Sequence, residues 1–251
     1  MKQIPNIFTL LNLICGCIAI VFILQNGIQI NYEGNLVALS EQMWLASLFI
    51  GLAAVIDFLD GFVARLFNAT SDMGKQLDSL ADVVSFGVAP SMIMYQFLRM
   101  SFVSSQSSVN TSVWLFVPAF IIAAAGAYRL ARFNINTQQS EGFTGVPIPA
   151  VGLLIASLPL IYWNATNEII INTITNKWFL YALIILVSTL MVSKLPLIAL
   201  KFKNISLKDN LPKYVLIIVA VISAFIFNWL AVPIVFIAYI ILSLAFKNKT
   251  I

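Results

Sequence analysis

The chain has 251 residues, of which 61% are hydrophobic and only 10% carry a charge. A soluble domain has about 25% charged residues, so this composition excludes an ordinary soluble protein and predicts one polytopic membrane domain over residues 1–251. The net charge of +4 would suggest nucleic acid as the partner of a soluble protein. Basic segments on the inner side of a membrane explain the charge better, and we therefore expect no nucleic-acid partner.

Eight apolar ranges have about the 17–25 residues that a membrane-spanning helix needs. They lie at 8–25, 43–66, 81–103, 113–133, 148–164, 178–194, 213–228 and 230–246. They predict an all-α polytopic helical bundle with about eight transmembrane helices, in which 213–246 forms a C-terminal pair. If the N-terminus is cytoplasmic, all fourteen basic residues except Arg99 and Lys177 lie on the inner side. This bias predicts that both termini are cytoplasmic.

The first apolar range begins with polar residues at regular intervals. Asn6, Thr9 and Asn12 are spaced i, i+3 and i+6, so they lie on one face of a helix. Taken alone, this pattern is explained by helix capping and an interfacial helix start.

Four aspartates lie in or beside the second and third apolar ranges, and all of them fall on the cytoplasmic side of the predicted topology. They are Asp57, Asp60, Asp78 and Asp82. A carboxylate at membrane depth costs roughly 2.5–3.5 kcal/mol on insertion scales, so four of them need a compensating partner. The spacings i, i+3 and i, i+4 place each pair on one helix face. Ligation by carboxylate oxygens alone suits Mg²⁺ or Mn²⁺.

Residue types between the two pairs predict a turn that brings them together. One helix can end near Asn68 and the next can begin near Ser71 or Asp72, which are both good N-cap types. Two helices joined in this way run antiparallel and can turn both aspartate pairs toward one site.

Three neighbours of the aspartates fit a ligand that contains phosphate. Gly61 and Gly74 lack a Cβ and let a bulky group such as a nucleotide approach the backbone, and Arg65 supplies a charge that pairs well with phosphate. A solvated acidic loop is the alternative, but the flanks 51–56 and 83–94 are too apolar for one. Because the chain has no histidine, acid–base chemistry must use carboxylate, lysine, tyrosine or water.

A second polar stretch, GAYRLARFN, ends the fourth apolar range. Arg129 and Arg132 are spaced i, i+3, so both can face one cavity. Anchoring by snorkelled arginines explains the charges but not Asn134 beside them. The following GFTGVPIPA over 142–150 predicts a rigid turn, and the five lysines of 194–213 predict a basic loop on anionic lipid.

These motifs carry a resemblance. The pattern Asp57-x2-Asp60-Gly61-x2-Ala64-Arg65-x8-Gly74-x3-Asp78-x3-Asp82 resembles the complete signature of the CDP-alcohol phosphatidyltransferase family. Pro5, Asn6 and Thr9 resemble a Pro-Asn-x-x-Thr element that the family often carries near the nucleotide. The stretches YRLARFN, FTGVPIPA and SKLPLIALKFK (193–203) resemble the branch of the family that makes phosphatidylserine. The resemblance covers most of 4–203, and the last two helices match only in being hydrophobic.

The resemblance implies transfer of the phosphatidyl group from CDP-diacylglycerol to L-serine, with release of CMP. The bias of basic residues predicts that this happens at the cytoplasmic face of the cell membrane. It implies that Asp57, Asp60 and Asp78 bind Mg²⁺ or Mn²⁺, and that Asp82 is a fourth ligand and the general base. The implied CDP-lipid contacts are Pro5, Asn6, Thr9, Gly61, Ala64, Arg65, Ser71 and Gly74. The implied serine contacts are Arg129, Arg132 and Asn134, because an arginine can grip a carboxylate with two hydrogen bonds. Homodimers are common in the family.

Three alternatives stay open at this point. The acceptor alcohol can be glycerol 3-phosphate or inositol, although YRLARFN and FTGVPIPA argue against this. A cation-coupled transporter is the second alternative, because intramembrane carboxylates are common in transporters, but such a protein would not release CMP. A purely structural membrane protein leaves the four aspartates and Arg65 unexplained.

Overall fold

The computed structural model describes residues 4–25, 28–31, 36–40, 42–66, 71–104, 111–135, 143–198 and 207–246. Within these residues the chain forms ten α-helices and two small antiparallel strand pairs. The helices are α1 (Ile4–Gln25), α2 (Met43–Leu66), α3 (Asp72–Asp82), α4 (Ala89–Ser104), α5 (Ile121–Ile135), α6 (Ile148–Asn164), α7 (Glu168–Ile174), α8 (Lys177–Val192), α9 (Leu207–Phe227) and α10 (Ala231–Ala245). The strands are β1 (Ile28–Asn31), β2 (Leu36–Leu39), β3 (Phe143–Thr144) and β4 (Pro196–Leu197).

The predicted all-α membrane architecture is confirmed, and each of the eight predicted apolar ranges falls on a helix. Five stretches among the described residues are long and apolar enough to cross a membrane: Pro5–Gln25, Met43–Leu66, Asp72–Val103, Val113–Ile135 and Asn210–Ala245. A sixth is formed if α7 and α8, which meet at an angle of 62°, count as one span. The number of eight spans and the side of the termini stay predictions.

The C-terminal stretch turns back on itself at Asn228. Helices α9 and α10 pack against each other, and a short 3₁₀ turn, Asn228–Leu230, joins them. The φ angle of Asn228 is 50°, and asparagine is one of the few residue types that visit this left-handed region readily. The predicted boundary between the ranges 213–228 and 230–246 is therefore confirmed.

Both strand pairs lie in segments where the sequence predicts no strands. The first pair, β1 with β2, falls in the region 26–42 that separates the first two helices. The second pairs Phe143 with Leu197 and Thr144 with Pro196. This second pair joins the two later motifs, FTGVPIPA and SKLPLIALKFK, although Ala199–Lys203 of the latter lie outside the described residues.

Helix α3 runs into α4 through a π-helical turn, Val83–Val88. Such wider turns occur mostly as single turns inside helices and often at functional sites. Ser85 in this turn lies so close to Gly16 of α1 that a Cβ on Gly16 would overlap it. The Ser85 hydroxyl also donates a hydrogen bond to the carbonyl of Asn12, at 2.9 Å. The turn thus holds Asp82, which directly precedes it, against α1.

Candidate active site

Three of the four aspartates meet between α2 and α3. Asp57, Asp60 and Asp78 each offer a carboxylate oxygen, and these three oxygens lie within 4.8 Å of one another. Asp82 is beside them, because the Asp57 carboxyl lies within hydrogen-bond reach of both Asp78 and Asp82. We call these four residues the aspartate cluster. Asp60 and Asp82 are each only 6% exposed, so the cluster carries its carboxyl groups into the interior of the protein.

Helix α1 lines the cluster with the polar face that the sequence predicts. The Thr9 hydroxyl donates a hydrogen bond to Asp60 Oδ2 at 2.9 Å, and Asn12 Nδ2 donates to Asp82 Oδ1 at 3.4 Å. The opposite face of the helix is exposed and apolar, with Ile7 and Ile14 among its members. A helix at the edge of a membrane protein is expected to turn its polar side chains toward the protein interior and its apolar side chains toward the lipid.

A cavity of about 490 Å³ opens beside the cluster, between α1, the end of α2 and the start of α3. We call it the N-terminal cavity. Its predicted members are Pro5, Asn6, Thr9, Asp60, Gly61, Ala64, Ser71, Gly74 and Asp78, and Asp72 and Lys75 complete its lining. A volume of this size is within the range of small-molecule pockets.

The start of α3 shapes one wall of the N-terminal cavity. Ser71, one of the two predicted candidates, is the N-cap of this helix, and its hydroxyl accepts a hydrogen bond from the Gly74 amide at 3.0 Å. A Cβ on Gly74 would lie 3.1 Å from both Asn6 Oδ1 and Ser71 Oγ, so a larger residue would crowd α1 against α3. The predicted end of α2 at Asn68 lies outside the described residues, and the described helix ends at Leu66.

Gly61 lines another part of the cavity and lies beneath Arg65. The Arg65 guanidinium lies over Gly61, where a Cβ would be 3.6 Å from its Nη1. Arg65 is exposed and does not itself line the cavity. The absence of a side chain on Gly61 leaves the space beside this guanidinium open.

Arg129 does not line the N-terminal cavity and lies near Asp82, at the end of α3. It is 7% exposed, and its Nε has no hydrogen-bond partner among the described residues. Both Asp82 and Tyr239 lie within electrostatic reach of its guanidinium. A buried arginine with an unused donor close to a carboxylate is a group that can receive an anionic ligand.

Arg132 and Asn134 are placed differently from Arg129. Arg132 donates hydrogen bonds to the carbonyls of Val192 (3.0 Å) and Ser193 (3.3 Å) at the end of α8. Asn134 donates to the Ser79 hydroxyl at 2.8 Å and so ties α5 to α3. The structure does not bring these two residues into the N-terminal cavity.

The three later motifs converge where Arg132 meets the end of α8. We call the two arginines, Arg129 and Arg132, together with the backbone from Val192 to Ile198, the arginine corner. Gly145 has a φ of 75°, and a Cβ there would overlap the carbonyls of Met191 and Ser193. Its amide donates to the Leu195 carbonyl at 3.0 Å. Glycine is therefore required at this position of FTGVPIPA both by its backbone conformation and by the close approach of α8.

Comparison with known proteins identifies the family. The CDP-alcohol phosphatidyltransferase model matches residues 2–191 of the chain. The chain belongs to the CDP-alcohol phosphatidyltransferase family. Relatives named CDP-diacylglycerol–serine O-phosphatidyltransferase include one from Helicobacter pylori, 34% identical over 88% of this chain and 81% of the relative. Others are from Bacillus subtilis (35%, over 64% of this chain and 78% of the relative) and Methanocaldococcus jannaschii (35%, over 76% and 71%).

The aspartate cluster fits the divalent metal on which this family generally depends. All its donors are carboxylate oxygens, the donor type that hard cations such as Mg²⁺ and Mn²⁺ prefer. Oxygens within 4.8 Å of one another can share one ion. Like charges gathered at low exposure repel one another strongly, and a cation offsets this repulsion.

Asp72 and three further residues beside the site of this phosphatidyltransferase are absent from the predicted site. Asn12 shows a usable signal, since it continues the spacing of Asn6 and Thr9. Lys75 directly follows a predicted glycine and donates to the Asn134 carbonyl at 3.3 Å. Tyr239 gives no signal, because a tyrosine in an apolar helix is usually a core residue.

Proposed function

We propose that the protein transfers the phosphatidyl group of CDP-diacylglycerol to the hydroxyl of L-serine, giving phosphatidylserine and CMP. The observation that carries the proposal is the meeting of Asp57, Asp60 and Asp78 oxygens within 4.8 Å beside a cavity of about 490 Å³. The names of the relatives from three genera support serine as the acceptor.

The N-terminal cavity is our candidate for the CDP part of the donor. The amides and side chains at the start of α3, with Lys75 and the neighbouring Arg65, offer donors and positive charge to the two phosphates. Asn6 and Ser71 offer polar atoms at the cavity wall for the nucleotide. The acyl chains of the donor would then leave the cavity toward the lipid that surrounds the exposed apolar faces of α1 and α2.

Asp57, Asp60 and Asp78 are the residues that we assign to the metal, with Asp82 as a fourth ligand, and we propose Mg²⁺ or Mn²⁺ as the ion. When bound, such an ion neutralises charge on the attacking and leaving oxygens of a phosphoryl transfer. The proton of the serine hydroxyl passes to a carboxylate oxygen of Asp82. The serine oxygen becomes bonded to the phosphatidyl phosphorus, and the bond from that phosphorus to the CMP oxygen breaks.

Arg129 is our candidate for the serine carboxylate. It lies within electrostatic reach of Asp82, so a serine held by its carboxylate at Arg129 can direct its hydroxyl toward the proposed base. Arg132 is assigned a supporting role in the same subsite, and Arg132→Ala is expected to raise the serine KM. An unchanged KM in that variant would remove Arg132 from the site, and Asn134 is tested in the same way.

We further propose that the protein is a single domain of the cell membrane with its active site toward the cytoplasm. Lys75 lines the N-terminal cavity beside the aspartate cluster, and the Arg65 guanidinium lies over Gly61 of the same cavity. At the other end, the Lys177 ammonium lies 5.0 Å from the Phe102 ring, near the end of α4. This division of charge supports the orientation. The resemblance supports a homodimer, and the mass of the protein in detergent tests it.

The first experiment is CMP release by the purified protein in detergent. CDP-diacylglycerol and Mn²⁺ or Mg²⁺ would be supplied with serine, glycerol 3-phosphate or inositol in parallel, and Asp82→Asn would be the control. We expect release that depends on serine and on the metal, is abolished by EDTA, and is lost in the variant. Release with another alcohol would keep the family but overturn serine as the acceptor. Absence of release with every alcohol, from protein shown to be folded, would overturn the proposed reaction.

A further inference from the structure

Helices α5 and α8 leave a second cavity between them, with a volume of about 510 Å³. We call it the α5–α8 groove. Its lining consists of Ile121, Ala124 and Ala125 of α5 and of Ser188, Thr189, Val192 and Ser193 at the end of α8. None of these residues lines the N-terminal cavity, so the groove is a separate space.

The walls of the α5–α8 groove are mostly apolar and open to the outside of the protein. Ile121, Ala124 and Val192 are exposed, and α5 belongs to a stretch that is long and apolar enough to cross a membrane. Small side chains at Ala124 and Ala125 create the space between the two helices. Walls of this kind lose dispersion contacts when nothing fills the space, which favours an apolar occupant.

One hydroxyl group in the groove has no use within the protein. Ser188 is only 7% exposed, and its Oγ has no hydrogen-bond partner among the described residues. By contrast, Thr189 donates to the Ile185 carbonyl at 2.7 Å, and Ser193 donates to the Leu190 carbonyl at 2.8 Å. Leaving a buried hydroxyl group unpaired is costly, so an occupant with an acceptor atom would satisfy Ser188.

Positive charge lies at the end of the groove that Val192 and Ser193 form. Arg132 donates hydrogen bonds to the carbonyls of both residues, at 3.0 and 3.3 Å, and the exposed Lys194 follows directly. Ser188 lies one helical turn before Val192, about 6 Å away along the axis at 1.5 Å per residue. In a diacyl phospholipid, the glycerol unit separates the phosphate from the ester carbonyl oxygens by a similar distance.

We propose that the α5–α8 groove is a binding site for one diacyl phospholipid with an anionic headgroup. An acyl chain fills the space beside the two alanines, an ester carbonyl accepts a hydrogen bond from Ser188 Oγ, and the phosphate lies beside Arg132 and Lys194. A second helix would cover the apolar walls but would bring no anion to the basic end. The inference does not depend on the proposed function.

The test uses phosphatidylglycerol with a photoreactive diazirine in one acyl chain, added to the purified protein in neutral detergent. We expect saturable labelling that maps to residues 121–125 and 188–193. Unlabelled phosphatidylglycerol should compete with the probe, whereas phosphatidylcholine, which has no net charge, should not. All variants below leave Arg132 unchanged, because the proposed acceptor subsite includes it.

Filling the groove should prevent labelling. Ala124→Phe places a ring in the space of the acyl chain, and we expect the saturable labelling to fall by about tenfold or more, as the loss of a few buried CH₂ groups would cause. Ala182→Phe is the matched control, because Ala182 is an exposed alanine of α8 that does not line the groove.

Removing the unpaired hydroxyl should weaken binding without loosening the fold. For Ser188→Ala we expect the apparent Kd of phosphatidylglycerol to rise roughly three- to tenfold. Without added lipid, its unfolding midpoint should equal or exceed that of the wild type. Ser157→Ala is the control, since Ser157 is a buried serine that donates within α6, to the Leu154 carbonyl at 2.6 Å.

The basic end is tested by Lys194→Gln. We expect the apparent Kd of phosphatidylglycerol to rise by about two- to fivefold, because one cation near the phosphate is lost. Lys177→Gln, at the other end of α8, removes the same charge and should leave the Kd unchanged. Equal effects of the two variants would show that only the net charge matters and would overturn a site at this end.

The remaining outcomes also decide. Labelling that does not saturate, or that phosphatidylcholine competes for equally, would show ordinary boundary lipid and overturn the proposal. Labelling confined to α1, α2 and α3 would also overturn it, because the probe would then occupy the N-terminal cavity. Absence of labelling together with a dimeric mass would assign the groove to a second copy of the chain. If Ala124→Phe does not fold, the comparison of Ser188→Ala with Ser157→Ala decides.

Discussion

The two sides of the aspartate cluster are assembled in different ways. The N-terminal cavity is built by three helices that follow one another closely in the chain, and its residues lie at helical spacings within 5–78. The arginine corner joins α5, α8, two short strands and α10, and its contacts connect residues 41 to 61 positions apart. Local helix faces therefore define the first side, whereas backbone hydrogen bonds between distant segments define the second.

The difference has a functional consequence under the proposed reaction. The compact motif would then bind the CDP group of the proposed donor, and the segments that are distant from one another in the chain would bind the proposed acceptor. The following experiments test whether the two sides separate in this way, beginning with the cluster that both sides share.

Removing one charge from the aspartate cluster should have the largest effect. Asp57→Asn, Asp60→Asn and Asp78→Asn are each expected to lower kcat by roughly a hundred- to thousandfold, since each removes an anionic donor from the proposed metal site. CMP release at saturating serine measures this. Glu168→Gln, an exposed carboxylate in the first turn of α7, is the matched control. Near-normal rates in all three aspartate variants would contradict the assignment.

Arg129→Lys should affect the acceptor side alone. It keeps the charge but loses the planar fork that binds a carboxylate with two hydrogen bonds, so we expect the serine KM to rise roughly ten- to a hundredfold. The KM for CDP-diacylglycerol should stay within about twofold. Arg99→Lys, whose arginine donates to Gln96 at 3.0 Å, should change neither. A rise in the donor KM instead would place Arg129 on the phosphate side.

Thr9→Val should affect the donor side with a smaller effect. The change keeps the shape and removes the hydrogen bond to Asp60, so we expect activity to fall roughly three- to tenfold, with the serine KM unchanged. Thr173→Val removes a hydroxyl that donates only within α7, to the Ile169 carbonyl, and should be neutral. If the loss appeared only in the serine KM, the two sides would not be separable.

Gly145→Ala should change stability more than chemistry. An alanine here would have to adopt a φ of 75°, and its Cβ would overlap the carbonyls of Met191 and Ser193. We expect this strain to destabilise the folded protein by about 1–3 kcal/mol. Thermal unfolding in detergent should show a lower midpoint, by several degrees. Gly51→Ala is the control, because a Cβ at this position of α2 meets nothing within 4 Å. Equal midpoints for the two variants would show that the arginine corner tolerates rearrangement.

The sequence predicts the N-terminal side well because its signals are local. Ser71 caps α3 as its residue type indicates, and nine predicted residues line one cavity. The spacings of the aspartates predict that each pair lies on one helix face, and this prediction requires only the geometry of the α-helix. The apolar ranges likewise place the helices, since hydrophobic length is a strong signal in lipid.

The arginine corner is less predictable for physical reasons. The strands β3 and β4 have two residues each, too few to show alternation. Arg132 donates hydrogen bonds to the carbonyls of Val192 and Ser193 at the end of another helix. The spacing of residues in the sequence does not indicate this pairing. Tyr239 lies in α10, whose residues are apolar apart from Tyr239 and Ser243, and the hydrogen-bond partner of its hydroxyl depends on how this helix packs.

The polar face of α1 also bears on how the protein enters the bilayer. Synthesis proceeds from the N-terminus, so Thr9 and Asn12 are made before Asp60 and Asp82, to which they donate hydrogen bonds. The α1 span has a mean hydropathy of 2.8, whereas the Asp72–Val103 span has only 1.3. The less apolar of these two segments thus emerges from the ribosome after its hydrogen-bonding partner, and α1 can act as a template within the membrane during biogenesis.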